Sequence, residues 1–402
     1  MSLDSQKLRH RRGLIGAAAL AAAVAAGLAA TGAAGASAAT APVLQTLTYT
    51  ATGPGGGLYK PVGVSAAGGT VYVSDSGANE VSAVAGGTTT AFAGSLTAFG
   101  EHGDGGPATS ASLYHPGGTA VDAKGDVFIA DSGDNVIREV TPAGVIRRIA
   151  GTGIAGLGFA GPAGFPAALS SLDHPQNVAV NAAGDVFIAD TYNNRVVKVT
   201  PQGQVVTVAG DGAAGYSGDG RLAAFAELNS PTGVAVDSDG NLYIADSANN
   251  VIRRVDAKTG IITTVAGDFA AAKANDGLGG FSGDGGPATS AQLNAPQGVA
   301  VDGAGDLFIA DTFNNAIREV TPAGVISTVV NAAGANGAAP APGGESNGAA
   351  PTASKLNTPY GVAVDQSTDT LYIADTNNSK IAAVTGLAQP GDTAGPTAPA
   401  QS

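Results

Sequence analysis

Two histidines are the side chains of this 402-residue sequence that are best suited to metal chemistry. His115 and His174 each stand immediately before a proline, at the same position in two neighbouring copies of a repeat. Catalytic zinc sites usually combine three protein ligands with one open position for water. No other copy has histidine at this position, so His102, which lies in a loop before His115, would have to complete the set. The sequence therefore offers a candidate metal site with two of its three ligands in place.

Aspartates between glycines are a second group of candidate ligands, in this case for calcium. Asp104, Asp219 and Asp284 each lie in a Gly-Asp-Gly loop, and residues 237–241 carry alternating Asp and Asn oxygens. Calcium takes roughly six to eight oxygen ligands, which these segments supply only if backbone carbonyls contribute. Turn formation by Asp, Asn and Gly explains the same residues without a metal, and we favour that interpretation.

Aromatic and amide side chains that differ between the copies are the candidates for binding a ligand. Tyr192 and Phe313 lie at the tips of Asp-Thr-x-Asn-Asn turns. Amide and phenol groups follow the prolines that begin three of the copies, at Gln176, Asn177, Gln297 and Tyr360. Aromatic faces together with amides suit sugars or peptides. On the sequence alone, the alternative that these are exposed turn residues without a ligand stays open.

Composition narrows the classes of function. The chain contains no Cys, which excludes a disulfide scaffold and a Cys-ligated metal site. Its formal net charge is −13, and an acidic protein is poorly suited to bind nucleic acid or an anionic membrane. No pairing of a nucleophile with a base recurs in the copies, so we predict no catalytic residue and no cofactor, and a protein that is not an enzyme.

The candidates belong to a repeat that occurs six times between residues 61 and 384. The clearest copy has strand character at residues 233–237, 242–246, 251–255 and 261–266, because short β-branched runs bounded by Gly, Asp or Asn predict strands. The aspartate that closes the second run recurs at Asp75, Asp131, Asp190, Asp246, Asp311 and Asp375.

The repeated charged residues are predicted to be structural. Each repeated Asp is followed by Asn or Asp three or four positions later, so its carboxylate can accept backbone N–H bonds in that turn. Arg138, Arg253 and Arg318 share one position on the third strand. There we expect an ion pair with a nearby carboxylate, across strands or between sheets, rather than a ligand clamp.

Four short strands joined by tight turns form an antiparallel sheet, and neither face of the inner strands is fully polar, so each sheet must be covered on both sides. Radial stacking of six such sheets gives an all-β, six-bladed β-propeller. The last copy supplies only three strands, whereas residues 43–53 resemble a fourth strand. We therefore predict that this N-terminal strand completes blade six and closes the ring, which removes exposed strand edges.

These motifs resemble the NHL-repeat family of six-bladed propellers. The Pro-x-Gly/Asn runs, the Ala/Ser-Asp-Ser/Thr closures and the Asn turns carry the resemblance over roughly residues 42–386. The inserts, such as residues 281–293, are similar to those of a secreted bacterial subgroup. The family often has Arg after the Asn pair, a slot that here only Arg195 fills. Since some propeller lyases use a His-lined zinc site, the resemblance also implies an enzyme alternative at His115 and His174.

The two ends are predicted to lie outside the propeller, which we assign to residues 39–388. Residues 1–38 combine arginines, an Ala-rich apolar run and a small-residue cleavage pattern, which indicates an export signal. The pair Arg11-Arg12 fits the twin-arginine route, and a membrane anchor is the alternative, for which the run is short and weakly hydrophobic. Residues 389–402 have the composition of a disordered tail. We expect a secreted, extracytoplasmic monomer that is not inserted in a membrane once the signal is removed.

Strand alternation also predicts two unlike faces. The turn between strands two and three and the connection between blades lie at the same end, which we call the loop-rich face. These connections run about 15 to 28 residues, beyond ordinary hairpin loops, and long loops on a rigid scaffold often carry recognition. The opposite face, made of short turns, is predicted to be inert. We predict a scaffold that binds an extracellular protein, peptide or glycan; the alternatives are a metal-dependent lyase or lactonase at the channel mouth and a purely structural envelope component.

Overall fold

The computed structural model describes residues 41–47, 57–95, 100–158, 160, 164–331, 343 and 348–386. These residues form six antiparallel sheets that follow one another along the chain, numbered here as blades one to six. The predicted export signal, residues 1–38, and the predicted tail, residues 389–402, lie outside the described residues. The prediction of an all-β, six-bladed propeller with four-stranded blades is confirmed, and in blades three and four a two-residue strand of the preceding connection adds a fifth strand.

The strands lie where short β-branched runs alternate with Gly, Asp and Asn turns. The N-terminal strand is β1 (Val43–Thr46). Blade one contains β2 (Pro61–Ala67), β3 (Thr70–Asp75), β4 (Glu80–Ala85) and β5 (Thr88–Gly94). Blade two contains β6 (Pro116–Val121), β7 (Val127–Asp131), β8 (Val136–Val140) and β9 (Ile146–Ala150). Blade three contains β10 (Phe165–Pro166), β11 (Pro175–Val180), β12 (Val186–Asp190), β13 (Arg195–Val199) and β14 (Gln204–Ala209).

The second half of the chain repeats this plan. Blade four contains β15 (Arg221–Leu222), β16 (Pro231–Val236), β17 (Leu242–Asp246), β18 (Val251–Val255) and β19 (Ile261–Ala266). One α-helix, α1 (Phe269–Ala274), follows in the next connection. Blade five contains β20 (Gly298–Val301), β21 (Leu307–Asp311), β22 (Ala316–Val320) and β23 (Ile326–Val330). Blade six contains β24 (Pro359–Asp365), β25 (Thr370–Asp375) and β26 (Lys380–Thr385).

The N-terminal strand completes blade six, as predicted. β1 pairs antiparallel with β26, with Val43 opposite Thr385 and Leu44 opposite Val384. Leu44 is fully buried in the cluster that fills the space between blades five and six. Residues 48–53 of the predicted segment lie outside the described residues. The pairing joins the two ends of the propeller in one sheet.

The apolar core consists of six clusters, one between each pair of neighbouring blades. Between blades two and three, for example, Ile137 belongs to the same cluster as Val178 and Ile188. Every blade is therefore covered on both faces, as the mixed alternation of its strands predicts. The leucines of the Leu-x-x-Pro motif are buried in these clusters, at Leu58, Leu113, Leu172, Leu228, Leu293 and Leu356.

The long connections cover the outer edges of the blades into which they lead. The two-residue strands β10 and β15 pair with β14 and β19, and single bridges join Pro107 to Val145 and Pro287 to Val325 in blades two and five. Strand edges carry N–H and C=O groups that need partners, and the connections supply them. Prolines precede short 3₁₀ helices here, at Ala108–Ser110 and Ala288–Ser290. In the connections that lead into blades two to five, these described segments therefore pack along the wall of the propeller and are not free for recognition.

Hydrogen bonds from Ser and Thr hydroxyl groups to proline carbonyl oxygens connect neighbouring blades. Thr191 Oγ1 donates to the carbonyl oxygen of Pro231 at 2.8 Å. Thr376 Oγ1 makes the same bond to Pro61, at 2.7 Å, across the junction where the ring closes. Further bonds of this kind run from Ser132 to Pro175, from Ser247 to Pro296 and from Thr312 to Pro359. The closing junction is thus built like the internal ones.

Helices contribute little to this fold. α1 has six residues, and the helices in the described part of the chain include none with the length and apolar character needed to span a bilayer.

Candidate ligand-binding site

The central channel narrows at the loop-rich face. Each first strand begins there, and a methyl group added to Gly63 or Gly298 would lie 2.4 Å from a carbonyl oxygen of the next blade, Gly117 or Tyr360. Glycine is required because the backbones touch. The predicted ligand residues Gln176, Asn177, Gln297 and Tyr360 line this neck.

The neck is too narrow to hold a sugar or a peptide. Its atoms leave room for about one water molecule. Gln297 Oε1 is buried there without a hydrogen-bond partner among the described residues, so it can accept a bond from such a water. The sequence correctly groups the four residues near the channel mouth, but they can only form the floor of a binding site above them.

Beyond the neck, the channel widens towards the face that the sequence predicts to be inert. The later parts of the six first strands enclose an empty volume of about 760 Å³, part of it open to solvent. Small apolar side chains line it, and the Ser65 and Thr119 hydroxyls are hydrogen-bonded to each other at 2.8 Å. The sequence analysis did not predict this cavity, because Val and Ala residues in a strand are typical of a packed core.

The repeated aspartates hold the loop-rich face together. Asp246 is fully buried at the end of β17, where its Oδ1 accepts the backbone N–H of Asn229 at 2.7 Å and its Oδ2 accepts Nδ2–H of Asn249 at 2.8 Å. The backbone donor to Asp246 thus precedes the first strand, whereas the sequence predicts a donor in the turn after the aspartate. Asp75 has both kinds of donor, since its Oδ1 accepts the N–H of Lys60 at 2.8 Å and that of Ala78, in the following turn, at 3.2 Å. Burial raises the pKa of Asp246 to about 6. This carboxylate ties the start of the first strand to the end of the second.

Three buried arginines lie between two carboxylates each. Arg253 is fully buried, with one NH group 2.8 Å from Asp219 of the Gly-Asp-Gly loop and the other 3.3 Å from Asp246. Its guanidinium also lies over the ring of Tyr216, 4.7 Å from the centroid. The Gly-Asp-Gly carboxylate, considered above for calcium, is therefore a partner of arginine. The same triad recurs as Arg138 with Asp104 and Asp131, and as Arg318 with Asp284 and Asp311.

In blade three the buried aspartate is paired with an arginine from a different position of the third strand. Its connection has no Gly-Asp-Gly loop, and Val197 stands at the arginine position of the third strand. Arg195, two residues earlier, donates from Nε to Asp190 Oδ2 at 2.7 Å and from NH1 to the carbonyl oxygen of Gly158 at 3.0 Å. The buried aspartate keeps an arginine partner in both arrangements.

The two candidate metal ligands are each engaged locally. His115 Nδ1 lies 3.1 Å from the carbonyl oxygen of Ser76, and its ring packs on Tyr114 with centroids 4.4 Å apart. His174 Nδ1 lies 2.9 Å from Asp173 Oδ1, and its ring packs on Tyr192 at 4.5 Å. Within the described ranges, no group of three or more His, Cys, Asp or Glu side chains is placed to hold a metal ion.

Four exposed aromatic rings stand on the loop-rich face, one each in blades one, two, three and five. We call them the aromatic crown. Their exposed fractions are 78% for Tyr59, 38% for Tyr114, 59% for Tyr192 and 60% for Phe313. The sequence predicts Tyr192 and Phe313 as binding residues and misses the two others.

The crown rings come from two positions that exchange roles. In blade two, Tyr114 precedes the first proline by two residues, and its ring covers Gly133 at the tip of the turn between strands two and three. A methyl group on Gly133 would lie 2.3 Å from Tyr114 Cδ1. In blade three the tip residue is Tyr192 itself, and Asp173 stands at the position two residues before the proline.

The backbone makes this exchange possible, because the two positions are hydrogen-bonded to each other. Gly133 N–H donates to the carbonyl oxygen of Tyr114 at 2.8 Å, and Tyr192 N–H donates in the same way to Asp173 at 3.2 Å. Blade one has the same arrangement as blade two, with the ring of Tyr59 against Gly77 at the turn tip. Blade five has the same arrangement as blade three, with Phe313 at the turn tip and Asn294 at the position before the first strand. Each of these four blades thus places one aromatic ring at the equivalent location on the loop-rich face.

Burial raises the pKa of Tyr360, and the nearby Tyr192 raises it further. Tyr192 in blade three and Tyr360 in blade six, which the sequence names as separate candidates, are therefore close enough to interact electrostatically.

Comparison with known proteins agrees with this geometry. The Teneurin NHL domain model matches residues 95–157, 211–276 and 279–347, and the NHL repeat model matches residues 172–199. Together these ranges cover more than half of the chain. The chain belongs to the NHL-repeat family. This NHL-repeat protein is 33% identical to Teneurin-4 of Mus musculus over an alignment 231 residues long, which covers 54% of this chain and 8% of Teneurin-4.

Solved structures share the fold of this NHL-repeat propeller. An auxiliary nutrient binding protein from Bacteroides thetaiotaomicron aligns with a TM-score of 0.58 at 14% identity, over 85% of this chain and 76% of that chain. A gluconolactonase from Xanthomonas campestris aligns with a TM-score of 0.53 at 14% identity, over 85% and 89%. At this identity the likeness concerns the fold alone.

Proposed function

We propose that this NHL-repeat propeller is a binding scaffold that takes a protein, peptide or carbohydrate on its loop-rich face. The observation that carries the proposal is the aromatic crown, in which exposed rings from four blades stand around one channel mouth. Large aromatic side chains that stay exposed on a rigid frame are favourable for recognition, since little entropy is lost when they are covered. The triads and hydroxyl bonds beneath the crown provide that rigid frame.

A metal-dependent lyase or lactonase at the channel mouth is the alternative function. Two histidines and the fold shared with a gluconolactonase favour it. The geometry favours binding instead, because in the described part of the chain no group of three or more potential ligands is placed to hold a metal ion, and the neck leaves no space for a substrate. We therefore retain binding as the function.

We place the protein outside the cytoplasm. The support is the sequence of residues 1–38, with its arginines, Ala-rich apolar run and small-residue cleavage pattern. A secreted propeller would meet extracellular proteins, peptides or glycans, which are the partners proposed here.

The test is a binding screen on protein recovered from the culture medium. Cell-wall fragments, secreted peptides and oligosaccharides are titrated against the wild-type chain and the double variant Tyr192→Ala/Phe313→Ala. We expect one class to bind and the double variant to bind about tenfold more weakly. Phe225→Ala is the matched control, since Phe225 is equally exposed but lies in a wall connection.

Two results would overturn the proposal. One is absence of binding to every class together with zinc-dependent turnover of a small ester or lactone. The other, which bears on location, is recovery of the chain only in the cytoplasm with Met1 as its first residue.

A further inference from the structure

Each of the four blades of the crown carries one exposed ring, although the ring comes from the position before the first strand in two blades and from the turn tip in the other two. Tyr59 and Tyr114 cover glycines at the turn tips, and where the tip carries the ring, an Asp or Asn replaces the tyrosine. Fold stability does not require either ring, because blade four has Asn229 and Ala248 at the two positions and keeps the same backbone bond. The shared feature of the four blades is therefore the exposed ring itself.

The surroundings of the crown are polar and lack the charge that a polyanion needs. Asp173 and His174 lie beside the blade-three ring, with Asp173 Oδ1 2.9 Å from His174 Nδ1. Asn193 and Asn314, which follow Tyr192 and Phe313 in the sequence, are buried and donate to Asp190 and Asp311. The amides of the neck form the floor. With a net charge of −13, the chain offers little attraction for phosphate-rich or sulfated ligands.

Peptide and protein ligands fit this surface less well. An extended peptide usually adds to a free strand edge, but connections occupy edges in blades two to five, and β1 completes blade six. A protein partner usually buries a contiguous apolar patch, whereas the crown rings come from separate blades and have polar neighbours. Isolated flat rings among amides and hydroxyls suit a ligand with an apolar C–H face and many hydroxyl groups.

We propose that the aromatic crown binds a neutral oligosaccharide, with sugar rings stacked on the aromatic faces and hydroxyls bonded to the neck amides. This inference rests on the proposed function, because it assigns the ligand class of the same face. Blades one, two and three supply three consecutive rings, so affinity should rise from monosaccharides to longer chains.

The experiment exchanges the two positions within blade two. Gly133 lies in the 3₁₀ helix Ser132–Asp134, the same backbone that carries Tyr192 in blade three. A tyrosine there needs the Tyr114 ring removed and a small backbone shift, because its Cβ would lie 2.7 Å from the carbonyl oxygen of residue 114; in blade three the equivalent N–H to O distance is 3.2 Å instead of 2.8 Å. Calorimetric titrations use cellohexaose, xylohexaose and chitohexaose, with a heparin hexasaccharide and neutral 12-residue peptides for comparison. Tyr114→Asn should weaken binding of the neutral sugar by about tenfold, and Tyr114→Asn/Gly133→Tyr should restore it to within about twofold of wild type.

Controls separate binding from folding. Phe313→Ala changes a ring that is 60% exposed and serves if Tyr114→Asn proves unstable; it should also weaken binding, whereas Phe225→Ala, on the wall, should not. Melting temperatures are measured for every variant.

The outcomes distinguish the two proposals. Binding of a peptide or of the heparin fragment, without any neutral sugar, would overturn the ligand class and leave the proposed binding function standing. Equal sugar binding by wild type and Tyr114→Asn, or failure of the exchange to restore it in a folded variant, would also overturn the inference. If none of the probes binds, the ligand class is overturned, and the screen described under the proposed function decides that function separately.

Discussion

At the residue scale, the most informative contacts are the triads of one arginine and two aspartates. Arg253 is enclosed by Asp219 and Asp246 and lies over Tyr216, so a buried cation is paired and stacked at once. Removing one partner of a buried ion pair is costly because the remaining charge loses its compensation. The triad also explains why the Gly-Asp-Gly loop recurs in blades two, four and five, where the third strand carries the arginine.

Arg253→Met is expected to destabilise the protein strongly. The substitution leaves Asp246 buried with no cation beside it, and we expect a loss of about 3 kcal/mol in the free energy of unfolding. Arg254→Met is the matched control, because Arg254 is the next residue of β18 and is partly exposed, so the loss should be much smaller. Denaturant unfolding of both variants checks this; similar losses would show that the triad has no special role.

At the element scale, the short strand β1 joins the two ends of the propeller. Only four residues form it, yet they occupy the fourth position of blade six and pair with β26 along its length. Without β1, β26 would present an open edge and the cluster between blades five and six would lose Leu44. A short terminal strand thus carries a large share of the closure.

Leu44→Ala tests the weight of this strand. Leu44 is fully buried, so truncating its side chain should cost about 3 kcal/mol. Its neighbour Gln45 is exposed, and Gln45→Ala should change stability by no more than about 0.5 kcal/mol. Equilibrium unfolding in urea measures both, and a Leu44→Ala variant as stable as wild type would contradict the closure described here.

At the scale of the whole molecule, the described residues carry the same hydroxyl-to-carbonyl bond at five blade junctions, including the one that closes the ring. Thr376 reaches Pro61 across some three hundred residues of sequence, with the same geometry that Thr191 uses to reach the adjacent blade. Both threonines are buried. In a closed ring the junction between the first and last blades is equivalent to the others, and stability should depend on each to a similar extent.

Thr376→Val and Thr191→Val compare the closing junction with an internal one. Each substitution keeps the shape of the side chain and leaves a buried proline carbonyl without its donor, which should cost about 1 to 2 kcal/mol. We expect the two losses in unfolding free energy to agree within about 0.5 kcal/mol. A substantial loss for Thr191→Val with none for Thr376→Val would mean that the ring is open in solution.

The sequence by itself determined the number of blades, the strands and the closing role of residues 43–46, because these follow from local patterns and from one repeat compared with the next. It also singled out Tyr192 and Phe313, irregular residues in regular turns, whose rings are exposed on the loop-rich face; their role in binding stays a prediction. The arginine and the Gly-Asp-Gly aspartate recur at a constant separation in the sequence, and this pattern indicates the ion pair that they form.

Only the tertiary structure decided which distant residues meet. The pairing of Arg253 with Asp219, the covering of Gly133 by Tyr114 and the closing of the neck by backbone contact all join groups from different strands or blades. A sequence pattern reports spacing along the chain, whereas burial, ion pairing and the width of a channel depend on distances through space, which are fixed once the blades pack against one another.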